Sequence, residues 1–222
     1  MPKSFSAPPI SRMVRESVWE ETAKEIASGV TGINSALWRE NKTDKGVFSF
    51  SHGDVAVEIS KSGMLCRLIN PMPCKTAKIS AREAEEKANE FLMKNGYKNM
   101  IALRRENGEF TASFLFYPLI NSVLLMTSPV EIGICTSNGE TVYFNSLEYI
   151  SNYTEDIHIP VTSPDISGVL PENVTATRSF YCLKEINGRE RLCILSECEY
   201  DNYKYYIYTD AETMKILKTE NA

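Results

Sequence analysis

Two histidines, six cysteines and a group of helix carboxylates are the side chains with which this sequence could carry out acid–base, nucleophilic or metal chemistry. His52 falls in the turn Ser51-His52-Gly53-Asp54, and His158 follows Glu155-Asp156 beside a Pro- and Ser-rich stretch. Neither has a His partner at helical i,i+4 spacing or a nearby Cys, so neither a metal site nor a nucleophile triad is indicated. Glu20, Glu21 and Glu25 could imitate an acid/base pair. Carboxylates in the N-terminal half of a helix are favoured by its dipole, however, and read as a solvated face; glycosidic chemistry would also need a substrate cleft, which nothing announces. The sequence therefore assigns no catalytic residue, no metal ligand and no cofactor, and it reads as a binding protein and not an enzyme. Cys66, Cys74, Cys135, Cys182, Cys193 and Cys198 contain no CxxC pair and fit neither a zinc site nor a small disulfide scaffold. They read as small core residues, with a bridge left open between partners that the spacing does not identify.

The side chains with the strongest binding character are the tyrosines Tyr200, Tyr203, Tyr205, Tyr206 and Tyr208. On a strand, Tyr203, Tyr205 and Ile207 point to one side while Lys204, Tyr206 and Tyr208 point to the other. One side must pack on a core, so the other presents aromatics. Tyr206 and Tyr208 are accordingly the expected partner-binding residues, against the plainer role of tyrosine as a good strand former. The apolar stretch 122–126 reads either as a second contact patch or as a buried or edge strand.

The elements that would position these groups follow from composition and periodicity. With 222 residues, 43% hydrophobic and 24% charged, the chain is long enough for one large or two to three small globular domains. The net charge of -5 and the lack of a Lys/Arg cluster give no footprint for nucleic acid. No apolar run is long enough to span a bilayer or serve as a signal peptide, so membrane contact is expected only through an anchor missing from this chain. Residues 11–27 predict an amphipathic helix stopped at Gly29, followed by four short strands with turns at 44–46, 52–54 and 61–63. Ser80 and Glu83 have the form of a capping box, and the stripe Ala84, Ala88, Phe91, Leu92 with Asn95-Gly96 predicts a helix over 80–95. Strands follow, including a hairpin that alternates Val130, Ile132, Ile134 and, past the Asn138-Gly139 turn, Val142 and Phe144. Residues 159–173 read as a linker, and the remaining strands close on an apolar pair around Asp210-Ala211-Glu212. Three weak repeats, 1–76 with a Pro-rich arm, 77–158, and 159–222 with an eroded helix, predict an α+β chain.

The segment VEISKSGMLCRLINPMPCKTAKISAREAEEKANEFLMKNGYKNM resembles the central part of the YpeB germination-protein family. Ser60, Lys61 and Gly63 match its "SK-G" hairpin, and Leu68 and Asn70 match its Leu-x-Asn strand end. Ser80, Glu83 and Ala84 match its "S-x-E-A" helix start; Phe91, Leu92, Gly96, Tyr97, Asn99 and Met100 match its closing signature. The end YYIYTDAETMKILK is similar to the family's last strand pair at Tyr206, Tyr208, Ala211, Ile216 and Leu217, and departs from it at Asp210 and Met214. The resemblance implies tandem PepSY-like units, each a helix packed on one face of a short antiparallel sheet, in an extracytoplasmic spore protein associated with the forespore inner membrane. It also implies a non-catalytic accessory role, in which the protein binds, stabilises and restrains a SleB-like cortex-lytic peptidoglycan hydrolase. A propeptide-like protease inhibitor or chaperone module with the same fold is the alternative, because fold alone does not carry function.

Overall fold

A computed structural model of the chain describes residues 17–42, 46–153, 164, 166 and 168–221. The Pro-rich arm, residues 11–16 of the expected first helix, His158 and part of the expected linker lie outside them. The first helix, α1 (Glu20–Thr31), begins and ends later than its sequence pattern suggested. It runs through Gly29, where a Cβ would meet nothing within 4 Å. An isolated glycine costs a helix only about 1 kcal/mol and does not by itself end one. The stop is Gly32, left-handed at φ 76, whose N–H returns to the Ser28 carbonyl.

The second helix, α2 (Ala81–Lys94), starts as expected. Ser80 Oγ accepts from the Glu83 amide at 3.2 Å, and Glu83 Oε2 accepts from the Ser80 amide at 2.7 Å. Ala84, Ala88 and Leu92 face inward, and Gly96 at φ 85 turns the chain out of the helix. A short third helix, α3 (Leu147–Asn152), has no counterpart in the sequence reading. Six residues span fewer than two turns, too few to establish a 3.6-residue period.

Four strands follow α1: β1 (Arg39–Asn41), β2 (Val47–His52), β3 (Val55–Ser60) and β4 (Leu65–Ile69). The region after α2 contributes β5 (Met100–Asn107), β6 (Thr111–Ile120), β7 (Val123–Leu125), β8 (Val130–Cys135) and β9 (Thr141–Asn145). These do not form one small sheet per helix. β4 pairs with β9, placing Leu68 opposite Phe144, so the strands join in the antiparallel order β1-β2-β3-β4-β9-β8-β6-β5. Period-two alternation gives Phe50, Val57, Ile59, Leu68, Phe144, Ile132, Ile134, Phe114 and Phe116 to one face, where α1 and α2 close over a single core. Two half-sized cores would leave both joining edges unpaired; fusion removes that exposure.

The last strands, β10 (Thr175–Ile186), β11 (Arg189–Tyr200), β12 (Tyr203–Asp210) and β13 (Ile216–Asn221), form an antiparallel run. It is joined to the rest through β7, which lies parallel to β10 with Leu124 opposite Cys182. Strands dominate the fold and helices are few. No helix occurs among the described residues of this third segment, for which an eroded helix was expected. Its apolar face is covered by sheet instead: Cys182, Leu195, Tyr206 and Tyr208 pack with Ile101 and Leu103 of β5 and Tyr117 and Leu119 of β6. A disulfide joins Cys74, before α2, to Cys135 at the end of β8. No described helix is long and apolar enough to cross a membrane.

A candidate binding face on the long antiparallel sheet

The two faces of the long sheet differ in composition because each strand alternates. One face carries the aromatic and branched core. Pairing on the other brings Asn41, Ser49, Glu58, Arg67, Asn145, Glu131, Leu115 and Arg104 into one row across all eight strands. A parallel row runs Arg39, Ser51, Ala56, Ile69, Tyr143, Gly133, Ser113 and Glu106. Arg67, Ile69, Glu131, Ser113, Arg104 and Glu106 are exposed, while Tyr143, Asn145 and Leu115 are half-buried. Large apolar side chains are sparse here, which suits a surface left to solvent or to a partner and not to a permanent core.

At the β5–β9 end the face dips into a shallow cavity lined by Arg104, Glu106, Ser113, Leu115, Glu131 and Tyr143. Its floor is low because Gly133 has no side chain between Tyr143 and Ser113. The Tyr143 hydroxyl donates to Glu131 Oε2 at 2.8 Å. Burial and this carboxylate both push the Tyr143 phenol above its ordinary value, and Arg67 pulls it partly back. Arg104 pairs with Glu106 at 2.8 Å, both well exposed, so the pair is a rim feature of small energetic weight. The arrangement offers a guanidinium, a carboxylate, a hydroxyl and an amide around the apolar spots of Ile69 and Leu115. It is suited to hydrogen-bonded recognition.

The residues singled out in the sequence lie elsewhere. Tyr206 and Tyr208, expected at a partner-binding surface, are 8% and 1% exposed. The Tyr206 hydroxyl donates to the Leu103 carbonyl, and that of Tyr208 donates to Glu220 Oε2 at 3.1 Å. Burial raises the phenol of Tyr206 to about 12 and lifts that of Tyr208 further, beside Glu220. That expectation is corrected: the face they share closes on β5 and β6, and the outward aromatics are Tyr200 and Tyr203 at the hairpin tip. The stretch 122–126 takes the buried role, since β7 is fully enclosed between β6 and β10. His52 is exposed at the end of β2, its Nδ1 3.3 Å from the Leu37 carbonyl. Glu20 forms an ion pair with Lys24 one turn on, and that hydrogen bond holds its carboxyl below the usual range. Sequence reasoning missed the face because its members are ordinary, mostly polar residues drawn from eight strands.

Residues 10–158 match the family described as "YpeB sporulation, PepSY1 and PepSY2 domains". The chain belongs to this family. A curated relative, sporulation protein YpeB of Bacillus subtilis (strain 168), is 25% identical over 233 residues, covering 96% of this chain and 51% of that protein. The chain thus spans about half the length of that relative. Among solved structures, the Bacillus megaterium YpeB C-terminal domain superposes with a TM-score of 0.83 over 93% of this chain and 98% of the other, at 18% identity. At that identity the likeness speaks for the fold, and it places the YpeB fold over the third segment, which the family match leaves out.

Proposed function

We propose that this chain is a non-catalytic accessory protein of sporulation and germination that binds, stabilises and restrains a SleB-like spore cortex-lytic hydrolase. The observation that carries the reading is the match of residues 10–158 to the YpeB PepSY pair. The open sheet face supplies a surface of the right kind: mixed in charge, with donors and acceptors around the half-buried Tyr143 and Leu115, and broad enough to cover part of a folded partner. Restraint would be steric, the bound chain occluding the hydrolase until it is displaced or cleaved. The location that goes with this role is extracytoplasmic, in the spore at the forespore inner membrane. The partition at 1–76, 77–158 and 159–222 belongs to the same proposal, as three units of common descent whose strands have fused edge to edge.

The test is a titration of the immobilised chain with a purified SleB-type hydrolase, alongside the double variant Arg67→Glu/Glu131→Arg. Saturable binding that the variant weakens about tenfold or more, equivalent to roughly 1.4 kcal/mol, supports both the partner and the face. Binding unaffected by the variant removes the face and keeps the partner. Absence of binding by the wild-type chain refutes the reading.

A further inference from the structure

The reading above makes no use of four free cysteines, all of them buried. Two of these are in register. Cys182 of β10 stands directly opposite Cys193 of β11, so both side chains leave the same face of the sheet. Opposed Cα atoms in an antiparallel pair lie about 4.5 or 5.5 Å apart, depending on whether the pair is hydrogen-bonded. Either spacing falls inside the ~4.4–6.8 Å that a disulfide spans. Each sulfur perturbs the other's titration, Cys182 upward and Cys193 downward, and Cys193 Sγ donates to the Arg191 carbonyl at 3.8 Å. The other two have no such neighbour: Cys66 donates to the Met64 carbonyl, and Cys198, opposite Ala176 and Tyr205, donates to the Ser196 carbonyl. The Cys74–Cys135 bridge is of a kind that persists where thiols are oxidised.

We propose that Cys182 and Cys193 are a second disulfide-forming site, closed across β10 and β11 by a low-molecular-weight disulfide of the oxidised-glutathione class before the sheet is fully assembled. The thiolate of either cysteine attacks one sulfur of the reagent, giving a mixed disulfide and releasing one reagent thiolate. The thiolate of the other then attacks the protein sulfur of that mixed disulfide, forming the cross-strand bond and expelling the second reagent thiolate. Two cysteines are oxidised, one reagent disulfide is reduced, and the two protons leave on two reagent thiols. Timing follows from access. Both residues are 0% exposed, β10 is flanked by β7 and β11 by β12, and Tyr206 and Tyr208 lie in the same cluster. Once those strands have paired, a reagent the size of a tripeptide has no route to either sulfur. The bond would fix the β10–β11 register, where a slip of one residue would turn the face that packs on β5 and β6 toward the other side.

The experiment uses the full 222-residue chain, unfolded and reduced, then refolded in buffers of graded oxidised-to-reduced glutathione ratio. Each sample is denatured, alkylated and weighed, and a non-reduced digest identifies the linked peptides. Under conditions that close Cys74–Cys135, two of the six cysteines, Cys66 and Cys198, should be alkylated, with a peptide joining Cys182 to Cys193. In Cys193→Ala, Cys182 should become a third alkylated thiol. Exposing the already folded reduced protein to the same reagent should form the bond at least about tenfold more slowly. Four alkylated thiols in the wild-type chain, or a bridge from either cysteine to another position, overturns the site. Equal rates from folded and unfolded chains overturn the timing. The wild-type peptide map decides the site even if the variant fails to fold.

Discussion

Cutting the Cys74–Cys135 bridge with Cys74→Ser tests what holds the strap between β4 and α2 against the sheet. Cys74 is half-buried and Cys135 fully buried, so this substitution removes the cross-link without emptying any core volume. The strap has other attachments. The amides of Lys75 and Thr76 donate to Ser137 Oγ at 3.1 and 3.2 Å, and those of Lys78 and Ile79 donate to the Thr136 carbonyl at 2.8 and 3.0 Å. Native geometry should therefore survive, and the loss should come from the unfolded chain regaining its freedom. The bridge closes a sequence separation of 61 residues, for which the chain-entropy relation gives ~4 kcal/mol. The assay is urea unfolding followed by the fluorescence of Trp38, which is 6% exposed and donates from Nε1 to Ser28 Oγ at 3.1 Å. The variant's midpoint should fall with little change in slope, and folding should slow more than unfolding accelerates. Two results refute the reasoning. A loss below ~1 kcal/mol would mean that the cross-link hardly restricts the unfolded chain. Fast hydrogen exchange at Lys78 and Ile79 in the folded variant would mean that the bridge, and not the hydrogen bonds, docks the strap.

Tyr97 is buried under α2 and donates to the Leu65 carbonyl while its hydroxyl lies 2.6 Å from Ser146 Oγ. Tyr97→Phe should cost about 1 kcal/mol, and less in a Ser146→Ala background, because Ser146 itself contacts the Leu65 and Cys66 carbonyls; urea unfolding of the double-mutant cycle measures the coupling. Hydrogen bonds from Ser80 hold the Glu83 carboxyl below its ordinary 4.5, so its contribution is complete above that pH and is lost as pH falls through the lower folded value. Glu83→Gln should flatten the acid limb of the thermal midpoint against pH, and Ser80→Ala should lower stability by about 1 kcal/mol at neutral pH. Tyr206→Ser and Tyr208→Ser should each destabilise the chain by roughly 3 kcal/mol or more in the same assay, since each empties a buried ring site. Unchanged stability with altered partner binding would return those tyrosines to the surface.

What the sequence made legible was local. The Ser80–Glu83 box, the alanine stripe of α2 and the Asn138-Gly139 turn depend on neighbours within a few residues, and each appears where its pattern placed it. Apart from the later bounds of α1 and the short α3, the departures are long-range. Alternation in β12 correctly separates Tyr206 and Tyr208 from Ile207 and Thr209, yet all four are buried, so the period identified two faces and could not say which, if either, met water. Nothing near Cys74 points to Cys135, and nothing near Leu68 points to Phe144; both pairings are fixed only when distant strands meet. The candidate binding face is a product of that second pairing. Arg67 comes from the strand that ends the first segment, and Glu131, Tyr143 and Asn145 come from the hairpin that ends the second, so they become neighbours only across the β4–β9 joint. A core change at that joint should consequently cost partner binding as well as stability, whereas a destabilising change at α1, away from the joint, should cost stability alone. Leu68→Ala against Ala23→Gly, each compared at a temperature where the variant remains folded, separates the two. If both variants bind equally well when folded, recognition does not run through the row that the joint creates.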